Sequence, residues 1–209
     1  MTTGQGGVIV RAGIAPGQHL AAAGLWWRGM GQGVLPFVPP RAGISWARAA
    51  LRPQAALAVH DPQGRLIGLA GLRDGGGGLI DWAQPMRPVM GPLAGPLARL
   101  ALRLWLPGPP TPDLVLDGLA VHPRAARRGV ARALIRAALD EARARHRPGL
   151  TVEVLAANGP ARALYASEGF VPVARLRMGH GRAALVLRRD CAGPSGLPPR
   201  AAPPISGPC

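Results

Sequence analysis

The sequence predicts an α/β fold, a mixed and mostly antiparallel sheet flanked by helices. Three observations carry this. Apolar segments follow the order strand, helices, hairpin, strand, helix, strand, helix, hairpin. The stretch Leu114 to Phe170 contains two strand-to-helix units, one joined by an Arg/Gly loop and one by Asn-Gly-Pro. No internal repeat is present, so the elements belong to one mixed domain over residues 1–190, with 191–209 as a tail.

Taken in order, Val8 to Ala15 reads as a first strand. His19 to Met30 has apolar residues at helical spacing, and Gly31, Gly33 and Pro36 should end it. Ile44 to Leu51 predicts a short helix with Ser45 as its N-cap. Ala55 to His60 and Arg65 to Leu72 form a hairpin across Asp61-Pro62-Gln63-Gly64. Leu79 to Trp82 could continue the sheet. Pro85 to Pro112 contains Leu97, Leu100 and Leu104 on one helical face, suited either to covering the sheet or to lining a substrate pocket.

Leu114 to Val121 is a strand, and Gly129 to Arg145 a strong amphipathic helix stopped by Pro148-Gly149. Thr151 to Leu155 is a strand, and Pro160 to Glu168 a short helix ended by Gly169. Val171 to Arg177 and Arg182 to Arg188 form a last hairpin across Met178 to Gly181. From Cys191 onward Pro, Gly, Ser and Ala dominate, which predicts disorder.

The bulk composition narrows the function classes. The 209 residues carry a formal charge of +15, and every basic residue is arginine. With Ala, Gly and Pro also abundant, that tilt reads partly as compositional bias, and a solvated basic surface explains it as well as a nucleic acid does. Neither a base-reading basic helix nor an aromatic platform is recognisable, so nucleic acid ranks low as a partner. An anionic cofactor also suits such a field. The two cysteines, Cys191 and Cys209, lie in the tail with no metal or disulfide spacing. No signal-peptide pattern opens the chain, and Pro92 to Pro107 is too short and too charged for a membrane span. A cytoplasmic protein with no metal is expected.

Chemistry is concentrated in the loop from His122 to Ala131. A glycine at 129 lets a bound group approach the backbone closely, and Ala131 does not block it. The first turn of the following helix has unpaired N–H groups and the positive end of the helix dipole. Arg127, Arg128 and Arg132 add charge suited to a pyrophosphate, although a merely solvated basic helix start would read the same.

Two motifs in this stretch resemble the GNAT family of N-acetyltransferases. Gly129-Val130-Ala131 is similar to the end of its Arg/Gln-x-x-Gly-x-Gly/Ala loop, with Ala126 standing where the family opens with Arg or Gln. Asn158, Ala161, Leu164-Tyr165 and Gly169-Phe170 resemble its second signature, N-x-x-A-x-x-L-Y-x-x-x-G-F.

The resemblance implies acetyl-CoA as co-substrate and a primary amine as acceptor, attacked directly without a covalent enzyme intermediate. It implies central strands that splay apart, with pantetheine held by the backbone of Leu119 to Val121, Ala120 included. The loop Ala126, Arg127, Arg128, Gly129, Val130 and Ala131 would hold the pyrophosphate, and Asn158 the pantetheine or a nearby backbone group. For Asn158 the plain alternative is a turn residue.

Tyr165, the chain's single tyrosine, would by resemblance donate a proton to the departing thiolate, or else serve as a packing aromatic. Asp117, a carboxylate in an apolar strand, is the candidate base or amine anchor; a solvent-facing strand residue or a water chain are the alternatives. His122 reads as structural. A non-catalytic acyl-CoA sensor is the rival function. Family domains are often dimers, so a homodimer is compatible.

Overall fold

The computed structural model describes residues 2–3, 8–36, 38–75, 77–86, 111–177 and 182–191. Eight strands form one sheet: β1 (Thr2–Thr3), β2 (Ile9–Ala12), β3 (Ala56–His60), β4 (Leu66–Arg73), β5 (Leu114–Val121), β6 (Gly149–Leu155), β7 (Val171–Arg177) and β8 (Ala183–Asp190). Their order is β1-β2-β3-β4-β5-β6-β8-β7. Every pairing is antiparallel except β5 with β6.

Helices α1 (His19–Trp26) and α2 (Pro40–Ala50) cover one face, and α3 (Val130–Ala144) and α4 (Gly159–Ser167) the other. The first core joins Trp26, Trp27, Trp46 and Leu69. The second joins Leu116, Leu134, Leu139, Val152, Tyr165 and Phe170. Among the described residues, no helix is long and apolar enough to cross a membrane.

Several local expectations change. Gly31 and Gly33 do not end the first helix. After Trp26 it widens into a π-helical turn, Trp27–Gly31, and closes with an α turn at Gln32–Val34. The second helix starts at Pro40, where a proline sacrifices no needed N–H, and Ser45 lies inside it rather than capping it. Leu79 to Trp82 makes only an isolated bridge, Leu51 with Ile80. Most of the Pro85 to Pro112 segment and the tail beyond Cys191 lie outside the described residues.

Helix α3 stops before Pro148-Gly149. Arg147 N–H donates to Ala142 C=O at 2.8 Å and His146 N–H to Arg143 C=O at 2.9 Å, with His146 at φ 53°. This is a Schellman turn with histidine in the position usually held by glycine. Gly149 then opens β6.

The β5–β6 ladder determines the shape of the centre. Parallel pairing covers only Leu114 with Leu150, Val115 with Thr151 and Leu116 with Val152. At its base, buried Asp113 accepts from Thr151 Oγ1 and from Arg188 Nε, each at 2.7 Å, tying β5, β6 and β8 together. Beyond Leu116 the register against β4 slips: Leu72 faces Leu116, but Ala70 faces Leu119. Strand β5 therefore carries an extra residue, a β-bulge at Asp117-Gly118.

Gly118 takes φ +91°, which disfavours any side chain, and a Cβ there would lie 2.1 Å from Met30 Sδ in the π turn. We expect Gly118→Ala to cost about 2–4 kcal/mol, through backbone strain and overpacking together. Adding Met30→Ala should recover only the packing part. Urea unfolding midpoints measure both, and a wild-type midpoint for Gly118→Ala would show that the bulge needs no glycine.

Candidate active site

The bulge reverses which face each later β5 residue presents. Leu116, Leu119 and Val121 all face the α3/α4 core, while Ala120 turns to the α1/α2 core. The backbone follows the same alternation. His122 N–H donates to Ile67 C=O at 2.8 Å, so the antiparallel register makes His122 and Ala120 the residues bonded to β4. The N–H and C=O groups of Leu119 and Val121 then point away from β4, into the opening where β6 no longer pairs. The backbone of Ala120 is turned from that opening and its side chain is buried against Gly29 of the π turn. Of the three residues expected to hold pantetheine, two offer backbone groups there.

From the end of β5 the chain turns through Pro123–Ala125 into the start of α3. Gly129 is the N-cap at φ +77°, with no side-chain cap and no acidic residue in the first turn. A Cβ on Gly129 would meet nothing within 4 Å. The first-turn N–H groups of Val130, Ala131 and Arg132 have no intrahelical acceptor and face a positive dipole end, which together favour an anion.

Arg127 sits at φ 61°, uncommon for a residue with a side chain, and Arg127 and Arg128 are exposed. Val130 offers only its amide, because its side chain is buried in the core. The N–H of Ala126 is spent on Pro123 C=O at 3.1 Å. His122 Nδ1 accepts from Arg124 N–H at 3.2 Å, so this histidine shapes the turn.

One expected phosphate ligand is already engaged. Arg132 Nε lies 2.5 Å from Glu168 Oε1, and Arg136 Nε donates to Glu168 Oε2 at 3.1 Å. The Glu168 side chain is 4% exposed, and a carboxylate so buried requires partners. Arg132 therefore clamps α3 to the end of α4 instead of adding free charge at the helix start. Sequence reading missed this because the two residues are far apart in the chain.

Tyr165 is positioned by the residues that follow it. Phe170 N–H donates to Tyr165 C=O at 3.0 Å and Gly169 N–H to Ala166 C=O at 3.0 Å, a Schellman turn with Gly169 at φ +81°. The Phe170 ring meets Tyr165 edge-on, with centroids 5.5 Å apart. The Gly-Phe pair thus packs one side of the tyrosine. Tyr165 is buried, and burial pushes its phenol up to about 12, so it stays protonated near neutrality. Asn158 caps α4 by accepting Ala161 N–H through Oδ1 at 3.2 Å. This fits the turn reading and leaves its Nδ2 group exposed.

Asp117 is half-buried at the bulge. Its Oδ2 accepts Leu79 N–H at 3.1 Å. Burial raises its carboxyl above the usual carboxylate range, against the opposing pull of the Arg73 guanidinium and the Leu79 N–H. Glu153, the first β6 residue beyond the parallel ladder, was not singled out in the sequence. Its Oε1 lies 3.6 Å from Arg73 Nη2, which brings it into the same charged group. No group of three metal-binding side chains occurs among the described residues.

An uncapped helix start beside splayed strands, with a tyrosine held by Gly-Phe, can be compared with known proteins. A model of the acetyltransferase (GNAT) family matches residues 26–170. The chain belongs to the GNAT acetyltransferase family. It is therefore placed among acyltransferases that use acetyl-CoA.

Solved structures agree on the fold. An N-acetyltransferase from Staphylococcus aureus Mu50 superposes with TM-score 0.66 at 14% identity, covering 87% of this chain and 100% of that one. A crystal structure described as acetyltransferase gives 0.62 at 20% identity, covering 88% and 100%. The ribosomal-protein-S18-alanine N-acetyltransferase from Escherichia coli gives 0.53 at 18%, covering 91% and 99%. The comparison with curated proteins finds no match.

Glu168→Gln should cost about 2 kcal/mol, because it removes the charge that both arginines satisfy. Arg136→Ala should cost less, since that side chain is 53% exposed. Thermal unfolding of the two variants tests the order; equal losses would mean that the buried carboxylate is not the centre of the clamp.

Proposed function

We propose that the protein is an N-acetyltransferase that moves the acetyl group of acetyl-CoA onto a primary amine by direct attack, within one domain spanning residues 1–190. The supporting observation is that β5 parts from β6 with its Leu119 and Val121 backbone groups turned away from β4, and that the chain then runs through one short turn into the uncapped start of α3. Extended pantetheine suits strand-like pairing with Leu119 and Val121. The pyrophosphate suits the amides of Gly129, Val130 and Ala131, with Arg127 and Arg128 close by.

Acetyl-CoA supplies an acetyl group activated as a thioester. The chain supplies proton control and position. Asp117 has one oxygen held by Leu79, and its raised affinity for a proton suits withdrawal of one from an acceptor amine near neutral pH. Tyr165 keeps its proton near neutrality, so its hydroxyl can donate a hydrogen bond to the sulfur as negative charge develops there. The exposed Asn158 amide would steady the pantetheine arm.

Calorimetry and thiol release test this together. Gly129→Glu directs bulk and negative charge into the space a phosphate would occupy, while meeting no protein atom at Cβ. Acetyl-CoA affinity should fall at least about 100-fold, with Gly129→Ala falling less. Unchanged affinity in a folded Gly129→Glu protein would remove the assignment. Binding without thiol release for any amine would leave an acyl-CoA sensor.

Tyr165→Phe should lower turnover by about 100-fold or more while changing acetyl-CoA affinity by less than about threefold. Wild-type turnover in steady-state assays would reduce Tyr165 to a packing residue.

A further inference from the structure

Three ionisable side chains meet where the parallel ladder ends, and the reading above uses one of them. Arg73 is the last residue of β4, Asp117 lies in the β5 bulge, and Glu153 is the first β6 residue past the ladder. The Arg73 side chain is only 25% exposed. A guanidinium has five N–H donors in a planar fork. The Arg73 guanidinium makes no hydrogen bond to any described residue. Its contact with Glu153 Oε1, at 3.6 Å, is an ion pair beyond hydrogen-bond length. Its positive charge also reaches Asp117.

A largely enclosed fork with unused donors is suited to a planar anion, for which arginine is the best-matched side chain. Asp117 is complementary: Oδ2 is committed to Leu79 N–H, and Oδ1 has no hydrogen-bond partner among the described residues. Arg73 pairs with Val115, two residues before Asp117 along β5, so the cationic and anionic ends of the group are close neighbours. The wider field points the same way. With a formal charge of +15, the protein repels polycationic acceptors at long range, whereas it does not oppose a molecule whose amine is balanced by an acid.

We propose that the acceptor is a small zwitterion of the amino-acid type, its carboxylate held by Arg73 and its amine by Asp117. This rests on the N-acetyltransferase reading above. Glu153 acts as a positioning residue through its ion pair with Arg73. The site distinguishes acceptors by the acid beside the amine, and an acceptor without that acid leaves the guanidinium unsatisfied. Polyamines and basic peptide chains are poor acceptors on both counts.

The test compares free α-amino acids with their amides and with the corresponding decarboxylated amines, by thiol release at saturating acetyl-CoA. The expected result is a kcat/KM advantage of about 10- to 100-fold for at least one free amino acid over both of its analogues, the size of a charge-assisted hydrogen bond. Arg73→Gln should erase that advantage by raising KM for the amino acid, and Arg73→Lys should restore part of it. The calorimetric affinity for acetyl-CoA should stay within about threefold.

Wild-type protein that uses amines lacking the acid equally well, or better, overturns the proposal whatever the variants do. So does an Arg73→Gln loss that is the same for both acceptor types, which marks a structural role. If acetyl-CoA itself is not bound, the N-acetyltransferase reading fails first and the acceptor proposal with it. Acetyl-CoA binding with the wrong acceptor preference removes only the latter.

Discussion

The cleft depends on where one short parallel ladder stops. Strands β5 and β6 share three residue pairs and then separate. The closed end is held by the buried Asp113 carboxylate, which binds Thr151 and Arg188 on the next two strands. The open end is forced by the bulge, because an extra residue between Leu116 and Leu119 increases local twist and breaks the register. Without the clamp the strands could drift apart along their length; without the bulge they could zip together. A fixed opening requires both.

The other face of the sheet is organised for alignment. Helix α3 begins uncapped at Gly129, and α4 carries Tyr165 into the second core. Glu168 joins the two helices through Arg132 and Arg136, and Arg189 on β8 donates to the Glu168 carbonyl at 2.5 Å. The residues that mark the family signature therefore do two kinds of work. Gly129 leaves the start of α3 uncapped, whereas Asn158, Gly169 and Phe170 cap and pack the helix that carries Tyr165.

Much of this was legible in the chain. Apolar runs and turn signals located every strand of three or more residues and the body of α3 and α4; most of these elements bury one face, while β7 is exposed along nearly its whole length. The family motifs located Gly129 and Tyr165. What escaped depends on contacts between distant segments or on single-residue insertions. Neither the bulge nor the π turn alters composition. Glycine at 31 and 33 reads as a helix stop, yet Gly31 packs its bare Cα against Trp26 and Trp27 inside a continuing helix. Arg132 looks like a phosphate ligand until Glu168, on another helix, is seen to hold it. Ala120 looks equivalent to its neighbours until the bulge reverses its face.

The π turn and the bulge meet. Met30 and Gly29 lie over Gly118 and Ala120, with space for glycine alone at two of the four positions. Each feature is an insertion of a single residue into a regular element, one into a helix and one into a strand. The strand's irregularity turns Ala120 upward, and the helix's irregularity lowers Gly29 onto it. A change that regularised either element would leave the other without a counterpart. The two insertions are a lock and its key: a substitution that reshapes one is felt at once by the other.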